Sequence, residues 1–312
     1  MWFDRSQMSS GSAALVIQAN QVSVVGMDHR PQQTPRVLFW AHYPILNNNI
    51  LATLKQIKQK HQLHQLNCMT VLNQDEYDIV ITQAPDIADH ELASALRWQL
   101  QEFTAIPLQN AAIEICPIPW IRNSTDQKAV YAVIAPNQLL KNRIELLTRA
   151  GIHLNIVDIP EMAIRNIATL LPESIHGIAV LWLNQHDGML LLVKAGLLML
   201  VRKLAFGLED MSKTPETTNF EPLLVELQRS LTYVESHYTD VVLRHLALFP
   251  IVSDVTPLVN FLKSNTDLQI RMIDLSQCLT MEAGLHPHQW NQFIVPLGAA
   301  LRQDIPSHAT TH

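Results

Sequence analysis

The residues of this 312-residue chain best suited to chemistry by type and spacing are histidines. His61-x-x-His64 would set two imidazoles on one helix face with Cys68 shortly behind them, and His286-Pro-His288 would set two more in a loop. Either spacing suits zinc, which takes three or four nitrogen, sulfur or oxygen ligands from the protein. Neither group completes such a set, and among 14 histidines close pairs arise by chance, so no metal site is expected. Hydrolysis by a serine nucleophile has no anchor, because the chain contains no Gly-x-Ser-x-Gly elbow. Phosphate has no cradle of the usual kind either: there is no Walker loop and no Gly-x-Gly pair. Asp187-Gly188, closing the run Leu181-Trp-Leu-Asn-Gln-His-Asp-Gly188, is enough for a tight hairpin and no more. The expectation is a protein without a catalytic residue or a cofactor.

Composition narrows the class further. Apolar residues make up 48% of the chain and charged residues 16%, against roughly 25% in ordinary soluble proteins, so part of the surface is expected to meet a partner. A formal net charge of -6 argues against nucleic acid, which needs a concentrated basic face. Lys55, Lys58 and Lys60 are the nearest approach to one, and they read as a solvated helix face. Cys68, Cys116 and Cys278 are odd in number, far apart and in apolar surroundings, as reduced core residues of a cytoplasmic protein would be. The first residues, MWFDRSQMSSGSAA, lack the apolar stretch of a secretory signal, and Asn123-Ser124-Thr125 then reads as a loop. Residues 177–206 are the most apolar part, but Asn184, Gln185, His186, Asp187 and Lys194 cut them into pieces far below the roughly 20 residues of a membrane span. Any membrane association is expected to come through partners.

The elements that must position these residues follow from periodicity and turn chemistry. Strands are expected over 15–25, in two pieces around Ala19-Asn20-Gln21, and at 37–40, then a helix over 47–65 with Ile50, Leu51, Leu54 and Ile57 on one side. A strand at 79–82 precedes a helix that starts near Asp89 or His90 and carries Leu92, Leu96, Leu100 and Phe103 on one stripe. Strands at 111–115 and 129–134 flank a polar loop at 122–127; a helix at 137–150 stops at Gly151; a strand at 154–158 and a helix at 161–170 follow. The second half has strands at 178–183, 189–193 and 198–204, a polar loop at 209–219, and a helix over 221–237. It continues with a strand at 245–249, a helix at 256–264, a strand at 269–273 and a final helix at 290–302. Strands in hairpins followed by helices thus occur twice.

Three segments carry a resemblance. Glu91-Leu-Ala-Ser-Ala-Leu-Arg-Trp98 with Phe103-Thr-Ala-Ile-Pro-Leu108 is similar to the "ALRWE…YIPFPL" signature of the PilM/MshI family of type IV pilus biogenesis proteins. Residues 130–150, running on into Val157-Asp158-Ile159-Pro160, resemble that family's "ELLEAAGL" helix and "VDVE" strand end. Leu227-Gln-Arg-Ser-Leu-Thr-Tyr-Val-Glu-Ser-His-Tyr238 resembles its "EIRRSLDFYRSQY" helix, and Pro296-Leu-Gly-Ala-Ala-Leu-Arg302 its "GLALR" ending. The resemblance implies an α/β, actin-like fold of two ribonuclease-H-like lobes. Its divisions would be residues 1–170 with a small subdomain inserted at about 78–135, residues 171–289, a helix at 290–303 packing back on the first lobe, and a disordered tail at 304–312. Length and the lack of a membrane span favour the stand-alone MshI (MSHA pilus) type over the related type II secretion-platform protein.

Functionally, the resemblance implies a cytoplasmic protein, peripheral at the inner membrane. Its expected partner is a bitopic PilN-like protein whose N-terminal tail docks into a groove of the first lobe. The cytoplasmic assembly ATPase and further copies of the chain are possible additional partners. Arg97, Trp98, Phe103, Ile106 and Leu108 are the residues it suggests for partner binding. Trp98 either anchors a partner, since Trp and Arg are frequent hot spots, or packs beneath Pro107 and Leu108.

Actin-like ATPases hold phosphates with two Asp-x-Gly turns, because glycine admits the phosphates to the backbone and aspartate organises Mg²⁺. The first turn here reads Val16-Ile-Gln-Ala-Asn-Gln-Val-Ser23, with Gln18 and Asn20 in place of glycine, acid and base; the second holds Asn184, Asp187 and Gly188 out of register with the motif. The adenosine-contacting Gly-Gly is replaced by Leu248-Phe-Pro-Ile-Val-Ser-Asp254. A degenerate nucleotide cleft is therefore expected, the alternative being a divergent ATP-binding protein or ATPase of a pilus or type II secretion system.

Overall fold

A computed structural model of the chain describes residues 11–30, 33–85, 87–118, 128–210, 220–238, 241–251, 254–281 and 287–302. The expected tail at 304–312, the loop at 122–127 with its Asn123-Ser124-Thr125, His286, residues 252–253 and most of the polar loop at 209–219 lie outside the described residues. The first lobe opens with strands β1 (Gly11–Ile17), β2 (Gln21–Asp28) and β3 (Arg36–Pro44), helix α1 (Ile50–Lys60) and strand β4 (Asn67–Val71). An insertion follows: β5 (Asp78–Ala84), α2 (Asp89–Leu100), β6 (Ala111–Pro117) and β7 (Lys128–Pro136). The chain returns through α3 (Asn137–Arg149) and β8 (Leu154–Asp158), and α4 (Pro160–Thr169) leads out of the lobe. The second lobe comprises β9 (Ile178–Leu183), β10 (Gly188–Lys194), β11 (Leu197–Leu204), α5 (Glu221–His237), β12 (His245–Leu248), α6 (Thr256–Asn265) and β13 (Gln269–Met272). A two-residue strand β14 (Thr280–Met281) and helix α7 (Ile294–Ala300) end the described chain.

Short turns join β1 to β2 and β9 to β10, so those neighbours pair antiparallel; helices separate β3 from β4 and β11 from β12, which leaves room for parallel pairing. The sheet orders are β14-β3-β2-β1-β4-β8 and β11-β10-β9-β12-β13. Apart from β14 at its edge, the first sheet has the order and directions of the second. Two ribonuclease-H-like lobes in tandem are the actin-like fold. The insertion forms a separate antiparallel sheet, β5-β7-β6, backed by α2 through Leu92, Leu96 and Leu100.

Alternation along β1 explains the layering. Ala13, Leu15 and Ile17 face Leu54, Ile57 and Leu147 of α1 and α3, while Ala14 and Val16 face the opposite way, into a core continuous with the second sheet. That larger core runs through α4 (Ala163, Ile164, Ile167, Ala168) and α7 (Ile294, Leu297, Ala299, Ala300). Helix α4 starts on Pro160 at its first turn, where a missing N–H costs nothing. Helix α3 ends on Gly151, whose φ of +75° closes a Schellman turn with Ile152 N–H donating to the Leu147 carbonyl at 2.9 Å.

Several expectations are corrected. Strand β4 falls between the expected helix at 47–65 and the expected strand at 79–82, where no strand is expected; all but its first residue are buried, so it lacks the half-polar alternation that marks an exposed strand. The helix itself ends at Lys60, and Gln62 at φ 50° breaks it before a separate 3₁₀ turn at Leu63–Gln65. His61 and His64 therefore share no helix face: His61 stacks on Phe39 at 4.1 Å and bonds the Tyr43 hydroxyl at 2.8 Å. The last helix is shorter than expected, with 3₁₀ turns over Pro287–Phe293 before α7. Among the described residues no helix is long and apolar enough to cross a membrane.

Glycine is obligatory at the seam between α7 and α4. A Cβ on Gly298 would lie 2.0 Å from the Ala163 carbonyl oxygen. The end of α7 is tied down as well, by Asn166 Nδ2 donating to the Gly298 carbonyl at 2.9 Å and Ser12 Oγ to that of Ala300 at 2.5 Å. At the start of α4, Glu161 is fully buried and accepts from the Tyr77 hydroxyl on one oxygen, while the other has no partner. Burial pushes its carboxyl above the ordinary range, against the Tyr77 hydrogen bond, which acts to lower it.

Two outcomes follow. Gly298→Ala must separate the helices and is expected to cost about 1–3 kcal/mol in urea unfolding, as overpacking does. For Glu161 the ionised form is the one that folding disfavours, so wild-type stability falls as pH rises through the raised native value and the penalty is absent below the unfolded value of about 4.3. Glu161→Gln is expected to unfold at higher temperature than wild type at pH 8, with the gap closing towards pH 4; a gap that is constant across that range would contradict this.

Candidate functional site: an interlobe cleft and a groove between sheet edges

The β1–β2 and β9–β10 turns face each other across a cleft of about 570 Å³ between the lobes, lined by Gln18, Asn73, Asp75, Trp182, Asn184 and Asp187 among others. Gln18 and Asn20 sit in the first turn, which is closed by Gln18 N–H to the Gln21 carbonyl at 2.9 Å and by a side-chain bond from Gln21 to Gln18. Asn184 N–H donates to the Asp187 carbonyl at 2.8 Å to close the second, and Gly188 begins β10 opposite Leu183. The outside of that second turn is held by the chain itself: Leu208 and Glu209 donate to the Asn184 and Gln185 carbonyls, and Gly207 packs so closely that a Cβ would lie 2.5 Å from the His186 carbonyl carbon.

A nucleotide is the group this fold implies, and the donor set does not fit one. Among the described residues lining the cleft there is no Lys, Arg or His, and two lining residues, Asp75 and Asp187, are carboxylates. Phosphate recognition needs cations or a row of free backbone N–H groups. The unpaired buried atoms here are instead two neutral donors, Gln74 Nε2 and Trp182 Nε1, and two acceptors, Asp187 Oδ1 and Asn291 Oδ1. No group of three or more His, Cys, Asp or Glu suited to a metal occurs among the described residues.

A second concavity, about 550 Å³, lies between β6 and β8, with Leu197 and Leu198 of β11 also on its wall. Six consecutive residues of β6, 112–117, and residues 155–159 line it. Side chains alternate across a strand, so consecutive lining residues mean that the strand edges border the groove. Both strands are at the ends of their sheets, and their outer N–H and C=O groups are thus free of a neighbouring strand. The floor is apolar, with Leu140, Ile156, Val157 and Met162, and Cys116 is partly buried there. At one end Arg302 pairs with the buried Asp158 at 3.2 Å. Burial pushes the Asp158 carboxyl up, and Arg302 opposes that shift.

The five residues suggested for partner binding are not brought together in this groove. Trp98 is 84% and Phe103 54% exposed, Phe103 lying past the end of α2 instead of on its buried stripe. Trp98 does not pack beneath Pro107 and Leu108; its neighbour Arg97 reaches that segment, donating from Nη1 to the Leu108 carbonyl. Leu108 is buried in the core of the insertion and Ile106 packs partly against it. The groove residues Ala112, Cys116, Val157 and Met162 escaped sequence reasoning, because which strands end a sheet depends on topology; an expected strand 6 or 8 alone does not reveal it.

No protein-family model matches the chain, and no curated protein matches its sequence. Among solved structures it is similar to the PilM-PilN type IV pilus biogenesis complex, at 16% identity over 93% of this chain and 96% of that one, with a TM-score of 0.66. It is also similar to a protein of actin-like ATPase fold from Bacteroides thetaiotaomicron VPI-5482 (12% identity, 90% and 96% covered, TM-score 0.49). A third likeness is to the cytoplasmic domain of EpsL, an inner-membrane component of the type II secretion system of Vibrio cholerae (9%, 91% and 94%, TM-score 0.47). At these identities the likeness speaks to fold: the chain has the actin-like α/β fold, in the arrangement found in the pilus complex.

Proposed function

We propose that the chain is a non-catalytic cytoplasmic component of a type IV pilus assembly platform, of the MSHA kind, peripheral at the inner membrane. Its groove between β6 and β8 holds the N-terminal tail of a PilN-like inner-membrane protein. The observation that carries this reading is the pair of unpaired strand edges facing each other across an apolar floor, inside a fold shared with the PilM-PilN complex. An extended tail entering there gains main-chain hydrogen bonds from an edge and buries alternate side chains on Ile156, Val157 and Met162. The cytoplasmic assembly ATPase and further copies of the chain are additional partners on this reading.

The interlobe cleft supports the same reading from the other side, since its chemistry disfavours a triphosphate. A divergent ATPase would be stabilised by Mg-ATP, by about 2.7 kcal/mol at a hundredfold excess over Kd. No shift in unfolding temperature is expected with millimolar Mg-ATP. Calorimetric titration with the cytoplasmic peptide of the PilN-like protein is expected to give micromolar binding, about 8 kcal/mol. Ala112→Arg, which puts a long charged side chain on the groove wall, is expected to weaken it at least tenfold without lowering the unfolding temperature. Absence of binding to wild type, or an unaffected Ala112→Arg variant, would remove the groove from the proposal.

A further inference from the structure

The inserted sheet has a second free edge, β5, and this one faces the other lobe. Between β5 and β11, the edge strand of the five-stranded sheet, runs a groove of about 880 Å³. Consecutive residues line it on both sides, 78–81 and 201–206, so here too strand edges form the walls. Natural proteins guard such edges with lysine, proline or a covering element. Strand β5, Asp-Ile-Val-Ile-Thr-Gln-Ala, has neither lysine nor proline, and the groove carries exposed apolar side chains: Ile81 at 41%, Phe103 at 54% and Val225 at 40%.

Charge says what kind of segment fits. The acids in the lining are engaged: Asp78 accepts from the Thr104 hydroxyl, and Glu226 pairs with Arg229 at 2.8 Å. The bases are not. Arg202 has no carboxylate partner among the described residues; its Nε is buried without an acceptor and its guanidinium lies 5.9 Å from the centre of the Tyr233 ring. Lys203, next to it, sits with its ammonium 5.1 Å from the Tyr77 ring centre. Counting Arg229 with Glu226, the described residues here set Asp78 and Glu226 against Arg202, Lys203 and Arg229, an excess of one positive charge in a chain of net charge -6. Arg202 lines the groove, and a guanidinium without a carboxylate partner gains strong, charge-assisted hydrogen bonds from a carboxylate supplied there.

We propose that the β5–β11 groove is a second docking site, taking an extended segment of a partner protein that adds as a strand to the β5 edge. Its side chains of one face lie on Ile81, Phe103 and Val225, and a carboxylate reaches Arg202. This site is separate from the β6–β8 groove and does not depend on what binds there. Tyr131, on the central strand of the inserted sheet, lines both grooves, so the two sites share a wall.

The test is selection of linear peptides from a random display library on the intact chain, followed by titration of the enriched peptides. The enriched sequences are expected to place one Asp or Glu between alternating β-branched or aromatic residues. They are expected to lose at least tenfold in affinity on Arg202→Gln and on Val225→Asp, to recover in part on Arg202→Lys, and to be indifferent to Ala112→Arg. Unfolding temperatures of the four variants separate lost binding from lost folding, and Val225, on the rim, remains informative if Arg202→Gln is destabilised. Peptides indifferent to both groove variants, peptides sensitive only to Ala112→Arg, or no enrichment at all would overturn the proposal. Concentration-dependent self-association abolished by Arg202→Gln would also overturn it, by giving the groove to a second copy of the chain.

Discussion

Helices α4 and α7 meet with no side chain between them where Gly298 lies against the Ala163 carbonyl, and each of the two large sheets packs against that pair. The continuous core shared by the two large sheets runs through this contact. Helix α7 has only seven residues, too few to be helical alone, since isolated helices below about 12 residues are marginal. Six of the seven are buried, so its conformation is imposed by its surroundings. Ile294, Leu297 and Ala299 belong to the same continuous core as Met69 of β4 and Leu181 of β9. One short helix thereby packs into the core of both lobes beside α4.

The same architecture explains why the interesting surfaces are edges. A duplicated five-strand order leaves β8 and β11 at the outer limits of their sheets, and the inserted β5-β7-β6 sheet lies where its own two edges each confront one of them. Backbone groups at such edges are unsatisfied by the sheet and must find water or a partner. The cleft between the hairpin turns differs in kind. Its turns are closed by their own hydrogen bonds, from Gln18 to Gln21 and from Asn184 to Asp187, and its side chains offer amides and carboxylates. Among the described residues that line it, the cleft holds none of the cations that phosphate would need.

How much of this was legible beforehand depends on whether the signal was local. The helices at 137–150 and 221–237 announced themselves by their periodic apolar residues and, for the first, Gly151; the hairpins of the second lobe by Asn184 to Gly188. Strand β4 did not, because a strand buried on both faces reads as a short apolar run with Thr70 in it, and that threonine spends its hydroxyl on the Leu15 carbonyl of the neighbouring strand. Phe103 fitted the helical period of Leu92, Leu96 and Leu100, yet α2 ends at Leu100 and Phe103 faces outward. The resemblance around Arg97 and Trp98 pointed to residues whose contacts split three ways: one ties the segment at Leu108, one is exposed, and Leu108 itself is core. Grooves bordered by two edges, brought together from residues as far apart as 112 and 157, leave no mark in any single stretch of sequence.

The seam and the first groove are joined by one ion pair. Arg302 follows the last turn of α7 and reaches Asp158 at the end of β8, and both line the β6–β8 groove. The Asp158 side chain is only 2% exposed, and its Oδ2 has no partner beyond this arrangement. A buried pair of this kind adds little net stability, but removing one member leaves a desolvated charge behind. Whatever occupies the groove must therefore either leave Arg302 in place or supply Asp158 with another donor. Arg302 directly follows the helix that packs Gly298 on Ala163, so the groove and the seam share this stretch of chain. The ion pair is thereby a constraint that the Asp158 end of the groove carries and the β6 edge does not.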